Sequence, residues 1–127
     1  MIPTARNPYL ESAVQTASPA RLLVMLCERL VLDCRRALEA QRAGDHAAAH
    51  PQLVHAQDIV SELHSTLRID VWDGARNLAE LYGHLIVSLV QANVRRDVAL
   101  TEHCLDLATQ LADTWREAAL QGVAATA

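Results

Sequence analysis

The chain contains no lysine and no phenylalanine, and only four glycines and four prolines in 127 residues. Each shortage closes off a class of protein. Without lysine there is neither Schiff-base chemistry nor the cation of a phosphate-binding loop. All eleven basic residues are arginines and the net charge is -4, so no cationic surface dense enough for a nucleic-acid backbone is expected. No uncharged apolar run approaches membrane-spanning length and nothing resembles a secretory signal. A cytoplasmic chain with no membrane insertion is the expectation. Cysteine is scarce and odd in number: Cys27, Cys34 and Cys104. Cys27 and Cys34 stand seven residues apart, ~10 Å along a helix axis, which a disulfide does not span. All three fall on or beside apolar stripes and are read as buried thiols in a reducing compartment.

What is present is alanine and leucine, 41 residues between them. That mixture favours helix at almost every position. Ser18 followed by Pro19 is a helix start, and Leu23, Leu26, Cys27, Leu30, Cys34, Ala37 and Leu38 trace one face of the helix that follows. Arg42 falls in its last turn and Gly44 ends it. Asp45 caps a second helix, in which Pro51 is expected to produce a kink or a delayed start. Its stripe is Leu53, Ala56, Ile59, Val60, Leu63 and Leu67. After a break to Trp72, Asp73 is the expected cap of a third helix carrying Leu78, Leu81, Tyr82, Leu85, Leu89 and Ala92, closed by Arg95 and Arg96. Asp97 opens a fourth, with Leu100, Cys104, Leu107, Ala108, Leu111, Trp115 and Ala118 on one side. The fold expected is all-α: an antiparallel up-down four-helix bundle, one domain over residues 1–127, with a short extra helical segment near the N-terminus. Residues 1–17 are expected to be a mobile segment and 121–127 a frayed tail.

Chemistry is sparse. Six histidines invite a metal reading, yet di-iron bundles use two Glu-x-x-His pairs and the chain has none. No metal and no cofactor are expected. A phosphotransfer bundle would set a lysine close after an exposed histidine, whereas His55 precedes Ala-Gln-Asp and His84 precedes Leu-Ile-Val. Cys27 lies on an apolar stripe beside Glu28, the reverse of the electropositive setting that activates a thiol. The chain is not expected to be an enzyme; the histidine phosphotransfer bundle stays as the alternative. Apolar residues exceed what a stripe of roughly 100° needs, as in Leu22 to Cys27, Ile59-Val60 and Leu85-Ile86-Val87. Such surplus serves central burial, self-association or a groove for a partner helix.

Four segments then become specific. Leu10-Glu-Ser-Ala-Val14-Gln-Thr-Ala-Ser-Pro19, continuing into Leu22-Leu-Val-Met-Leu26, resembles the start of the flagellin export chaperones, the FliS family. Ala56-Gln-Asp-Ile-Val-Ser-Glu-Leu63 with Thr66-Leu67 resembles that family's second-helix signature. Asn77-Leu-Ala-Glu-Leu-Tyr82, leading into Leu89-Val-Gln-Ala-Asn93-Val-Arg-Arg-Asp97, and then Asp113-Thr-Trp-Arg116 follow in order, so the resemblance covers nearly the whole chain.

The resemblance implies a cytoplasmic chaperone for flagellar type III export. It would bind the disordered C-terminal segment of flagellin as helical pieces, by helix-in-groove recognition coupled to folding of the client, and so prevent premature polymerisation. Export-gate components are the further partners it implies, for a monomer or weak homodimer. Carried over by position, it offers Ala56, Gln57, Ile59, Val60, Leu63, Tyr82, Leu85, Leu89 and Asn93 as client-binding residues. It offers Tyr9, Leu10 and Val14 as a movable N-terminal cover. The chain departs from the family pattern at Cys27-Glu28-Arg29, where an aromatic residue and Asp-Gly are usual, and at Val87-Ser88, where arginines are paired. Gly83-His84 and Pro51 depart as well. These differences leave open a divergent paralogue that chaperones another axial protein.

Overall fold

The computed structural model describes residues 18–67 and 74–121. Four helices fill them, with no strand among the described residues: α1 (Pro19–Arg42), α2 (His46–Thr66), α3 (Ala75–Val94) and α4 (Val98–Leu120). The segments 1–17 and 122–127, with Tyr9, Leu10 and Val14, lie outside the described residues, as does 68–73.

The helix starts follow from capping chemistry. Ser18 Oγ accepts from the Arg21 N–H at 3.2 Å, and Pro19 occupies the first turn, where an N–H would have no intrahelical acceptor. Asp45 accepts from the Ala48 N–H and Asp97 from the Leu100 N–H, both at 3.0 Å. The start of α3 differs from expectation. Its N-cap is Gly74, without a side-chain cap, while Asp73 falls outside the described residues. Pro51 neither delays α2 nor ends it: the helix begins at His46 and runs through the proline. The proline removes the donor that would serve the Ala47 carbonyl four residues back. Ala47 and Pro51 are both exposed, so solvent replaces the missing donor at low cost.

The two short connections share one device. Past α1, Gly44 adopts φ 73°; its N–H donates to the Gln41 carbonyl, and the Asp45 N–H donates back to the Ala40 carbonyl at 2.8 Å. Past α3, Arg96 adopts φ 53°; its N–H donates to the Asn93 carbonyl and the Asp97 N–H to the Ala92 carbonyl at 3.0 Å. Both are Schellman closures. In both, the aspartate that completes the closure is also the N-cap of the next helix. One residue therefore ends one element and starts another, which permits a reversal in three residues.

Each helix packs on two neighbours, α1 on α2 and α4, and α3 on α2 and α4. Contacts between helices give the directions. Arg42 reaches Glu102 at 2.8 Å and Arg116 reaches Glu28 at 3.3 Å, so the end of each of α1 and α4 meets the beginning of the other. Asn93 Nδ2 donates to His50 Nδ1 at 2.8 Å, which sets α3 antiparallel to α2. Gln41 Nε2 donates to the Ala92 carbonyl at 3.2 Å, placing the ends of α1 and α3 at the same level. The result is an antiparallel up-down bundle.

Leu30, Cys34, Leu53, Ala56, Val60, Leu85, Leu89, Cys104 and Ala108 form its fully buried centre. Truncating one such leucine to alanine typically costs about 2–5 kcal/mol. An exposed pair such as Arg42–Glu102 contributes about 0–1 kcal/mol, so the core dominates. Leu23, Leu26, Leu78, Leu81, Leu107 and Trp115 are only partly buried and pack around this centre. Asp33 breaks the apolar pattern. Fully buried, it accepts from Arg29 Nε at 3.0 Å and from His55 Nδ1 across the α1–α2 seam.

Nothing lies within 4 Å of a Cβ at Gly44, so Gly44→Ala carries backbone strain alone and should lower stability by about 1 kcal/mol. Arg96→Gly removes the same strain and should gain about 0.5–1 kcal/mol, both read from denaturant midpoints. Burial pushes Cys27, Cys34 and Cys104 up to about 12. The folded chain thus keeps protons that the unfolded chain releases from about pH 9 upward, so stability should fall as pH rises from 9 toward 12. Thiol titration at pH 8 should find all three slow in the native protein and fast in denaturant.

Candidate binding face on α2 and α3

The helical register brings two sets of residues together along the α2–α3 seam. On α2, His50, Gln57 and His64 recur every seven residues and share a flank. On α3, Asn93, Ile86 and Ala79 do the same. The His50–Asn93 hydrogen bond aligns the two rows, which sets Gln57 level with Ile86 and His64 level with Ala79. The edge-on packing of His64 against Tyr82, with centroids 6.4 Å apart, agrees with that register. Gln57, Ile86, Ala79 and Asn93 are half-buried, as residues lining a shallow seam would be.

Outward from this seam α3 presents an apolar stripe. Val87, Val90 and Val94 are 56%, 39% and 76% exposed. With Gly83 they fall at spacings of four, three and four residues, on one helix face. Gly83 adds a notch, since no atom lies within 4 Å of where a Cβ would stand. Among the described residues the other exposed large apolar side chain is Leu120, in the last turn of α4. Three of the four therefore cluster on α3, beside the seam.

The residues carried over from the sequence divide into two groups. Ala56, Ile59, Val60, Leu63, Tyr82, Leu85 and Leu89 belong to the interior cluster, none more than 6% exposed. Gln57 and Asn93 reach the surface, at the seam just described. Burial pushes the Tyr82 phenol upward, with Cys27 adding to the effect, so the ring is a neutral packing element. The valine stripe is what sequence reasoning missed as a surface. Its signal was present in Leu85-Ile86-Val87, where apolar residues run past the width of a core stripe, but the pattern alone did not say which of them faces water.

On the opposite side, between α1 and α4, lies an open cavity of about 300 Å³ lined chiefly by charged side chains. Arg116 spans Glu28 and Asp113 there, at 3.3 and 2.7 Å, and those hydrogen bonds raise its pKa. The carboxylates are occupied by an ion pair, and the nearby thiol of Cys27 is buried and protonated. Among the described residues no three histidine, cysteine, aspartate or glutamate side chains gather to hold a metal. Among the described residues no helix is long and apolar enough to cross a membrane.

Comparison with known proteins gives this bundle a family. The family model described as flagellar protein FliS matches residues 1–122. The flagellar secretion chaperone FliS of Salmonella typhimurium is 33% identical over 111 residues, 85% of this chain and 82% of that protein. Its namesake in Bacillus subtilis is 28% identical over 116 residues, 89% of this chain and 86% of that one. The Escherichia coli protein of the same name is 29% identical over 116 residues, with coverage of 87% and 83%. A match over nearly the whole chain places it in the FliS family of flagellar secretion chaperones, a non-enzymatic role.

Proposed function

We propose that this protein holds the disordered C-terminal segment of flagellin in the cytoplasm before type III export, and does so on the α2–α3 side of the bundle. The observation that carries the reading is the exposed stripe of Val87, Val90 and Val94 beside a polar seam. Three large apolar side chains in water on one helix face are costly for a free surface, at about 25 cal/mol per Å² of apolar area. A partner helix with its own apolar row removes that cost. Gly83 lets the partner's backbone come close, while Gln57 and Asn93 meet its polar groups. Ile59, Val60, Leu63, Tyr82, Leu85 and Leu89 then act from beneath, as the rigid floor that holds the seam in shape. Tyr9, Leu10 and Val14 belong to the segment proposed to cover this face until a client arrives.

Titrating the full chain with a synthetic flagellin C-terminal segment, following helicity and stoichiometry together, tests the reading. Client folding on the chaperone gives a gain in helix that saturates at one to one. No binding to the flagellin of the same organism sinks it and favours a paralogue with another axial client.

The face is tested separately. Val90→Asp together with Val94→Asp should weaken binding at least tenfold with native helicity retained, since both side chains already meet water. Ile59→Asp should instead unfold the bundle, because it places a charge in the core. Full binding by the valine double variant would move the site elsewhere on the bundle.

A further inference from the structure

Histidines cross three of the four seams between helices, but one contact differs from the rest. His55 meets a carboxylate and His50 meets an amide, each partner complementary to an imidazole. His84 on α3 instead meets His103 on α4, Nε2 to Nε2 at 2.8 Å, with ring planes 81° apart and centroids 5.1 Å apart. Both side chains are exposed. The centroid separation is the nitrogen separation plus about one ring radius at each end, so the two Nε2 atoms point at each other. In the free protein one must carry a proton and the other accept it.

We propose that His84 and His103 form a two-imidazole site for a divalent transition metal of the zinc or nickel class, joining α3 to α4. Neutral imidazole is a preferred ligand for these ions, with metal–nitrogen bonds of about 2.0–2.1 Å. Two such bonds at a tetrahedral angle set the nitrogens about 3.3 Å apart and the ring centroids about 5.2 Å apart. The centroids already stand at that separation. Binding needs only a turn of each ring in place, which parts the nitrogens by about 0.5 Å and brings both lone pairs onto one point. The shared proton moves to Nδ1 of its own ring by way of solvent, so both ligands stay neutral.

The surroundings suit an open, two-ligand site. Ser88 Oγ, on a buried residue, lies 3.4 Å from His84 Nε2 and offers a further oxygen. No third histidine, cysteine or carboxylate joins the pair among the described residues, so water fills the remaining positions. Because the helices are anchored by the core on either side of the pair, little chain entropy is lost when the ion binds. The other candidate pair, His46 and His50 at a four-residue spacing on α2, is less free: His50 Nδ1 is already hydrogen-bonded to Asn93.

Calorimetric titration of the full-length, chelator-treated protein with zinc and nickel salts, neither of which oxidises thiols, tests the site. One ion per chain is expected for each metal, with a rise in Tm of about 3–5 °C at saturating ion. His84→Ala and His103→Ala should each abolish both signals while circular dichroism shows the fold intact. His46→Ala with His50→Ala should leave both signals unchanged. Acidification should weaken binding, because protons compete for the same nitrogens. Absence of binding overturns the proposal. So does binding that survives His84→Ala, or binding lost only in the His46/His50 double variant.

Discussion

The three-residue corners Ala43–Asp45 and Arg95–Asp97 set the constraint on which the other contacts depend. Each returns the orphan carbonyls of one helix to backbone N–H groups and delivers the next helix with its cap already made. A connection that short leaves its two helices no choice but to run antiparallel side by side. Register follows. With α1 and α2 joined at one corner and α3 and α4 at the other, and both corners at the same end of the bundle, Gln41 finds the Ala92 carbonyl, His50 finds Asn93 and Arg42 finds Glu102. The α2–α3 seam and the histidine pair are both products of that register.

Against this frame the polar contacts have unequal weight. The exposed ion pairs contribute little and mark direction more than they hold it. Asp33 is different, since a buried carboxylate left without partners costs about 3–5 kcal/mol. Arg29 fixes one of its oxygens from within α1 and His55 the other from α2, so the carboxylate acts as a key between the two helices. A key of this kind discriminates between rotations of α1 that would bury the same leucines equally well.

Much of this was legible in the sequence, for reasons that differ by element. Ser18-Pro19, Asp45 and Asp97 announced three helix starts because capping chemistry is local and needs no knowledge of the partner helix. The seven-residue recurrence of Cys27 and Cys34, or of Val60 and Leu67, located the core face for the same reason. What was not legible depends on residues distant in the chain. Asp33 lies among arginines and looks solvated until His55 is brought beside it. Arg96 carries no mark of a left-handed backbone, and only its likeness in position to Gly44 reveals the role. The outward valines were indistinguishable from core residues by pattern, and the carried-over apolar residues proved to lie beneath the seam. Gln57 and Asn93 reach the surface because a polar side chain at the edge of an apolar stripe has nowhere else to go.

Pro51 has a consequence for how the bundle moves. It takes one rung out of the α2 hydrogen-bond ladder and leaves the Ala47 carbonyl to water, so residues 46–50 are tied to the rest of α2 by one bond fewer than an unbroken helix would give. The Asp45 cap, the burial of Ala49 and the His50–Asn93 contact hold that turn in place. Local opening therefore has a natural boundary at the proline: the first turns of α2 can detach and re-form as a unit without transmitting the disturbance to Leu53 and the core beyond. The same end of the seam is where Asn93 sits, so the part of the proposed binding face nearest the corners borders the turn that the proline loosens.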